Sequence, residues 1–126
     1  MNLWLKRTAA AGAIVLMVAL TWFNAQPVAA GLIPAPWDKL AHAGIFSTLC
    51  AALVLAGWPR LWPAAVIVVP FAAFDELRQL YLPGRSADWG DFFTDLAAMA
   101  VVLACAAALR RRGVKPVAGG RRASPL

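Results

Sequence analysis

Six carboxylates, three basic side chains and one histidine fall into three short groups along an otherwise apolar stretch of chain. The first group is Asp38, Lys39 and His42, followed by Phe46. The second is Asp75, Glu76, Arg78 and Gln79, closed by Leu82, Pro83, Gly84 and Arg85. The third is Asp88, Asp91 and Asp95. Residues three or four apart share a helix face. Asp38, His42 and Phe46 therefore stack, Asp75 and Glu76 each share a face with Gln79, and Asp91 shares one with Asp95. Two kinds of chemistry suit this set. In an enzyme, His42 would be the acid/base, oriented by Asp38, with Asp75, Glu76 or Asp91 as base, nucleophile or metal ligand. In a binding pocket, Asp75, Glu76 and Gln79 would form the lining, and Lys39 and Arg85 would attract phosphate or carboxylate. No serine or cysteine nucleophile stands beside a base, and no metal motif of recognised spacing is present. The reading thus favours binding over catalysis and expects no metal or cofactor. Its binding set is Asp38, Lys39, His42, Asp75, Glu76, Gln79, Arg85, Asp91 and Asp95. Local structural roles compete for some of these residues. Asp38 would suit a helix N-cap, Pro83-Gly84 a turn, and Asp88 or Asp91 the start of the last helix.

The elements that carry these groups must be membrane helices. AVILMFWYC residues make up 62% of the 126, only 14% are charged, and 9 glycines take the apolar share to about 69%. Soluble domains show roughly 45–50% on that wider count. A water-soluble enzyme and a disordered chain are both excluded, and a small all-α polytopic membrane protein is left. A bilayer core takes about 20 apolar helical residues to cross. Residues 8–37 carry no charge, with a helix expected over 9–24. Residues 40–59 hold only His42 as a titratable group, and residues 92–109 hold one acid, Asp95. Residues 61–74 are uncharged but short. That helix spans only if it continues through Asp75, Glu76, Arg78 and Gln79 to about Leu82. Pro63 suits its first turn, and Pro70 predicts a kink. The six tryptophans lie near the expected helix ends, where indole favours the headgroup region. Cys50 and Cys105 read as small buried apolar residues.

Charge asymmetry orients this four-helix bundle. If both termini are cytoplasmic, the inner side holds Lys6, Arg7, Arg60, Arg110, Arg111, Arg112, Lys115, Arg121 and Arg122, with no acid. The outer side holds Lys39, Arg78, Arg85 and all six acids. The excess of basic residues inside fixes that orientation. It also assigns the net charge of +6 to a membrane rather than to nucleic acid. On this reading residues 1–112 form one membrane domain, and residues 113–126 a basic, disordered cytoplasmic tail close to anionic lipid. Val28, Ala29 and Ala30 before Gly31 would also fit a leader cleavage site. The first helix is kept because its uncharged run is long enough to span. His42 and Asp95 then lie about one turn below the outer surface, and Asp75 about 10 Å from Leu82. Ionisable groups at such depth are functional by default. Arg78, Arg85 and Lys39 would neutralise part of the acid cluster.

At these residues the chain resembles the VanZ-like family of bacterial membrane proteins. The family pattern of Asp-Lys-x-x-His-x-x-x-Phe is met by Asp38, Lys39, His42 and Phe46. Its Asp-Glu-x-x-Gln segment running into Pro-Gly-Arg is met by Asp75, Glu76, Gln79, Pro83, Gly84 and Arg85. Asp91 matches the acid that opens the last helix. Asp95 stands where the family has Asn, and Ala98 where Gly is common. The resemblance covers about residues 37–109. It implies an integral protein of the bacterial cytoplasmic membrane, facing the cell envelope. The family's namesake is associated with teicoplanin resistance. The partners expected are membrane lipids and a lipid-linked cell-wall intermediate or other glycopeptide target. Three functions follow in order of preference. The first is a cell-envelope accessory factor with an outward acidic pocket. The second is a membrane hydrolase or transferase acting on a lipid-linked substrate. The third is a structural or assembly protein.

Overall fold

In the computed structural model, which describes residues 1–113, the chain is all-helical. Its four α-helices are α1 (Leu3–Asn24), α2 (Trp37–Gly57), α3 (Trp62–Gln79) and α4 (Trp89–Gly113). A short 3-10 turn, Pro27–Ala29, lies between α1 and α2. Among the described residues there is no strand. α1, α2 and α4 are each long and apolar enough to cross a membrane. α3 is outside that set because its last turns hold Asp75, Glu76 and Arg78, although its 18 residues still measure about 27 Å. The chain is therefore a membrane protein with four helices. The expected tail lies, apart from Gly113, outside the described residues, and Gly113 closes α4.

Helix ends differ from the sequence reading in ways that local chemistry explains. α1 begins at Leu3 rather than residue 9, because Asn2 Oδ1 accepts the Leu5 N–H at 2.8 Å. Lys6 and Arg7 consequently lie inside its first turns. α2 begins at Trp37 with Pro36 at the N-cap, so Asp38 sits in the first turn and is not the cap. α4 begins at Trp89 rather than residue 92, because Asp88 Oδ1 accepts the Gly90 N–H at 2.8 Å. That makes Asp88 the N-cap. Pro63 is in the first turn of α3, and Pro70 lies inside an unbroken helical run.

α2 is the central element and packs against each of the other three helices, while α3 and α4 also pack together. The core between them joins Phe46, Leu49, Cys50, Leu53 and Val54 of α2 to small residues on its neighbours. These are Ala13 of α1, Ala64, Val68 and Ala72 of α3, and Ala106 of α4. Small side chains let helix backbones approach closely where lipid removes the hydrophobic drive for association. Larger apolar residues such as Ile14, Val15, Val66, Val101 and Leu109 are exposed on the outside of the bundle. Cys105 is exposed as well, against the expectation of burial, while Cys50 is buried.

The bundle has two chemically distinct ends. Lys6 Nζ donates to the Trp58 carbonyl at 2.5 Å, and Arg110 Nη1 to the Pro59 carbonyl at 3.0 Å. The start of α1, the α2–α3 connection and the end of α4 therefore form a basic end. The opposite end gathers the carboxylates.

Candidate functional site

At the acidic end, α2, α3 and α4 each contribute a cluster of charged or titratable side chains, and α1 contributes the Asn24 amide. Asp75, Glu76 and Asp95 are each 1% exposed, Gln79 6% and Asp91 7%. Buried carboxylates need partners, and most of them have one.

Lys39 is the hub of the more exposed half. Its Nζ lies 2.6 Å from Asp88 Oδ2, 2.5 Å from Asp91 Oδ1 and 3.6 Å from Asp38 Oδ2. Asp38, Asp88 and Asp91 bring their oxygens close enough together to hold a cation. The Lys39 ammonium already supplies one to these three acids. It also holds the Asp88 carboxyl below the usual carboxylate range. Gly90 leaves room for this arrangement. A Cβ there would stand 2.9 Å from Asp88 Oδ1 and 3.3 Å from Lys39 Cε.

His42 sits deeper, between two acids of α4. Nδ1 is 3.0 Å from Asp95 Oδ1, and Nε2 is 3.5 Å from Asp91 Oδ2. Asp91 and Asp95 share a helix face, as their spacing predicts, and that face is turned to α2. The acid that orients His42 is Asp95, not Asp38. The ring also stacks on Phe46, with centroids 6.2 Å apart and planes 4° apart. This completes the expected alignment of His42 with Phe46. A carboxylate at position 95 is a good acceptor for an imidazole N–H.

On α3, Asp75 accepts from Asn24 Nδ2 at 3.2 and 3.3 Å and from Arg78 Nη2 at 3.4 Å. Glu76 accepts the backbone N–H of Asp88. Among the described residues, no cation pairs with Glu76. Arg85, expected to neutralise acids, instead donates to the carbonyls of Ala29 at 3.1 Å and Asn24 at 3.2 Å. It thereby caps the carbonyl end of α1. Its position follows from a tight turn, in which Gly84 has φ +72° and Arg85 N–H returns to the Leu82 carbonyl at 3.3 Å. A positive φ at that place favours glycine.

These groups border a cavity of about 330 Å³. One wall is apolar, with Leu20 and Phe23 of α1, Leu32 and Ile33 of the connection, and Ile45 and Phe46 of α2. The other wall carries Asp38, His42, Asp75, Gln79, Arg85, Ser86, Asp88 and Asp91. Of the nine residues expected to bind, Asp38, His42, Asp75, Gln79, Arg85 and Asp91 reach the cavity. Lys39 and Asp95 stand behind this lining and hold it in place, and Glu76 lies behind it too. Sequence reasoning missed Asn24 and Gly90. Asn24 had a usable signal, as the polar residue that closes the helix expected over 9–24. Gly90 had none, because its role depends on where Lys39 arrives from another helix.

A cavity with one apolar wall and one polar, charged wall suits the junction of a polar head and a hydrocarbon chain. Both His42 nitrogens face carboxylates, and among the described residues no serine or cysteine is hydrogen-bonded to the ring. A family model described as VanZ/LLP1 matches residues 6–110. No curated protein and no solved structure matches the chain.

Proposed function

The chain belongs to the VanZ/LLP1 family, and from that premise we propose that it is a cell-envelope accessory factor of the bacterial cytoplasmic membrane. The acidic end faces outward. Its cavity holds the polar head of a lipid-linked envelope component, without covalent chemistry, and so alters how a glycopeptide reaches its target. The observation that carries this reading is the 330 Å³ cavity, whose apolar wall faces His42, Asp75, Gln79 and Asp91. Orientation rests on the basic end, where Lys6, Arg7, Arg60, Arg110, Arg111 and Arg112 gather without an acid. Such an excess marks the cytoplasmic side, and both termini then lie inside. α1 belongs to the mature protein on this reading, because Asn24 holds Asp75 while Leu20 and Phe23 wall the cavity.

One observation favours a second reading, a membrane enzyme acting on a lipid-linked substrate. His42 between Asp91 and Asp95 has the geometry of an oriented acid/base. Turnover of a lipid-linked substrate by purified wild type, abolished in His42→Ala, would select it.

The test of the first reading is glycopeptide susceptibility in a sensitive Gram-positive host expressing wild type, His42→Ala or Glu76→Gln at matched membrane levels. Wild type is expected to raise teicoplanin tolerance more than vancomycin tolerance, and neither variant should do so. If wild type behaves as the empty vector, the glycopeptide link fails.

A further inference from the structure

A second concavity opens on the outside of the bundle, between α1 and α3, and it is chemically unlike the acidic cavity. Its walls are Met17, Val18, Thr21, Trp22 and Ala25 of α1 and Phe71 of α3, and Arg78 stands at its upper end. α1 and α3 both run toward the acidic end, so the groove climbs with them. From Met17 to Ala25, and from Phe71 to Arg78, it extends about 10–12 Å along the helix axes. It therefore lies along the direction of a lipid chain, with its one charge at the depth of the headgroups.

Arg78 is under-committed for a guanidinium. It has five N–H donors. Its Nη2 makes one long contact of 3.4 Å with Asp75, a carboxylate that Asn24 also serves. Its Nε is buried with no hydrogen-bond partner, and the Phe74 ring lies 5.7 Å from its central carbon. The Arg78 side chain keeps 17% of its surface open. A cation with spare donors at the edge of a bilayer draws an anion that the membrane itself can supply. Planar N–H pairs match phosphate oxygens in particular.

We infer that the α1–α3 groove is a binding site for one anionic phospholipid, its phosphate on Arg78 and one acyl chain against Met17, Val18, Thr21 and Phe71. The occupant is a membrane lipid because, Thr21 apart, the groove below Arg78 is walled by apolar side chains, which a free phosphate would leave uncovered. The site is separate from the acidic cavity. The Asn24–Asp75 bridge stands at the seam between them, so the inference does not depend on what that cavity holds.

The experiment is native mass spectrometry of the purified full chain in detergent, titrated with phosphatidylglycerol and, separately, phosphatidylcholine. Anionic lipid also gathers at the basic end, so the readout is the difference between wild type and variants that leave that end intact. Arg78→Gln should lose one tightly held phosphatidylglycerol, with about tenfold weaker affinity, and should weaken phosphatidylcholine less, because choline already offsets the charge of its phosphate. Arg78→Lys keeps the charge but not the planar donor pair, and should fall between wild type and Arg78→Gln. Thr21→Trp keeps Arg78 but fills the groove, and should weaken binding of both lipids. Phosphatidylglycerol held as tightly by Arg78→Gln as by wild type overturns the inference. If Arg78→Gln does not fold, wild-type binding by Thr21→Trp overturns it equally.

Discussion

At the basic end, Lys6 and Arg110 reach the carbonyls of Trp58 and Pro59, while Arg7, Arg60, Arg111 and Arg112 remain exposed. At the opposite end, Asp75, Glu76, Asp91 and Asp95 are all buried, none more than 7% exposed. The two ends meet the same kind of membrane boundary, yet one sends its charges out to water and the other draws them in. Snorkelling lysines and arginines cost little and follow from the bilayer alone. Buried carboxylates are costly there, and they persist where they line a site. On the proposed reading, the difference separates anchoring from function. Lys39 and Arg78 offset part of the acidic charge and His42 contacts Asp91 and Asp95, whereas among the described residues Glu76 is left with a backbone donor and no cation.

Substitutions at the two ends should therefore behave differently. The largest effect is expected for Asp91→Ala, which takes a partner from both Lys39 and His42. It should cost about 2 kcal/mol in chemical unfolding of the purified protein in micelles, and abolish any wild-type phenotype. Asp88→Ala removes the α4 cap and one Lys39 contact, and should cost about 1 kcal/mol by the same measurement. At the basic end, Arg60→Gln should stay within about 0.5 kcal/mol of wild type and leave the phenotype unchanged. A loss there as large as that of Asp91→Ala would erase the distinction between the ends. The smallest effect is on pH dependence. The Asp88 carboxyl is held low in the folded state, so its contribution is fully present above the ordinary carboxylate pKa of about 4 and is lost as pH falls through the folded value. Unfolding followed from pH 7 down to 3 should show a shallower fall in Asp88→Asn than in wild type. The exposure of Asp88 and screening by salt keep that difference small.

Much of this was legible in the sequence, for physical reasons that differ by region. The four helices follow from apolar runs of spanning length, and α3 is the exception in composition because Asp75, Glu76 and Arg78 interrupt it. The sharing of faces by Asp91 and Asp95, and by His42 and Phe46, follows from helical spacing and is met. The family pattern located most of the cavity's polar wall. What spacing does not encode is the rotation of one helix against the next. That rotation decided that Asp95 and not Asp38 orients His42, that Arg85 serves α1 carbonyls rather than acids, and that Asn24 belongs to the site. Helix starts moved by several residues because Asn2 and Asp88 supply caps outside the apolar runs.

Glu76 offers the most direct test of whether the acidic end is built for function or for holding four helices together. The measurement is the chemical unfolding midpoint of Glu76→Gln against wild type in the same micelles. The amide keeps an acceptor for the Asp88 N–H and removes a buried carboxyl that no cation pairs among the described residues. If the carboxylate serves the cavity it stands behind rather than helix packing, the variant should be as stable as wild type or more so, by up to about 1 kcal/mol, while the phenotype is lost. A loss of about 2 kcal/mol or more would contradict this and make Glu76 part of the glue between α3 and α4.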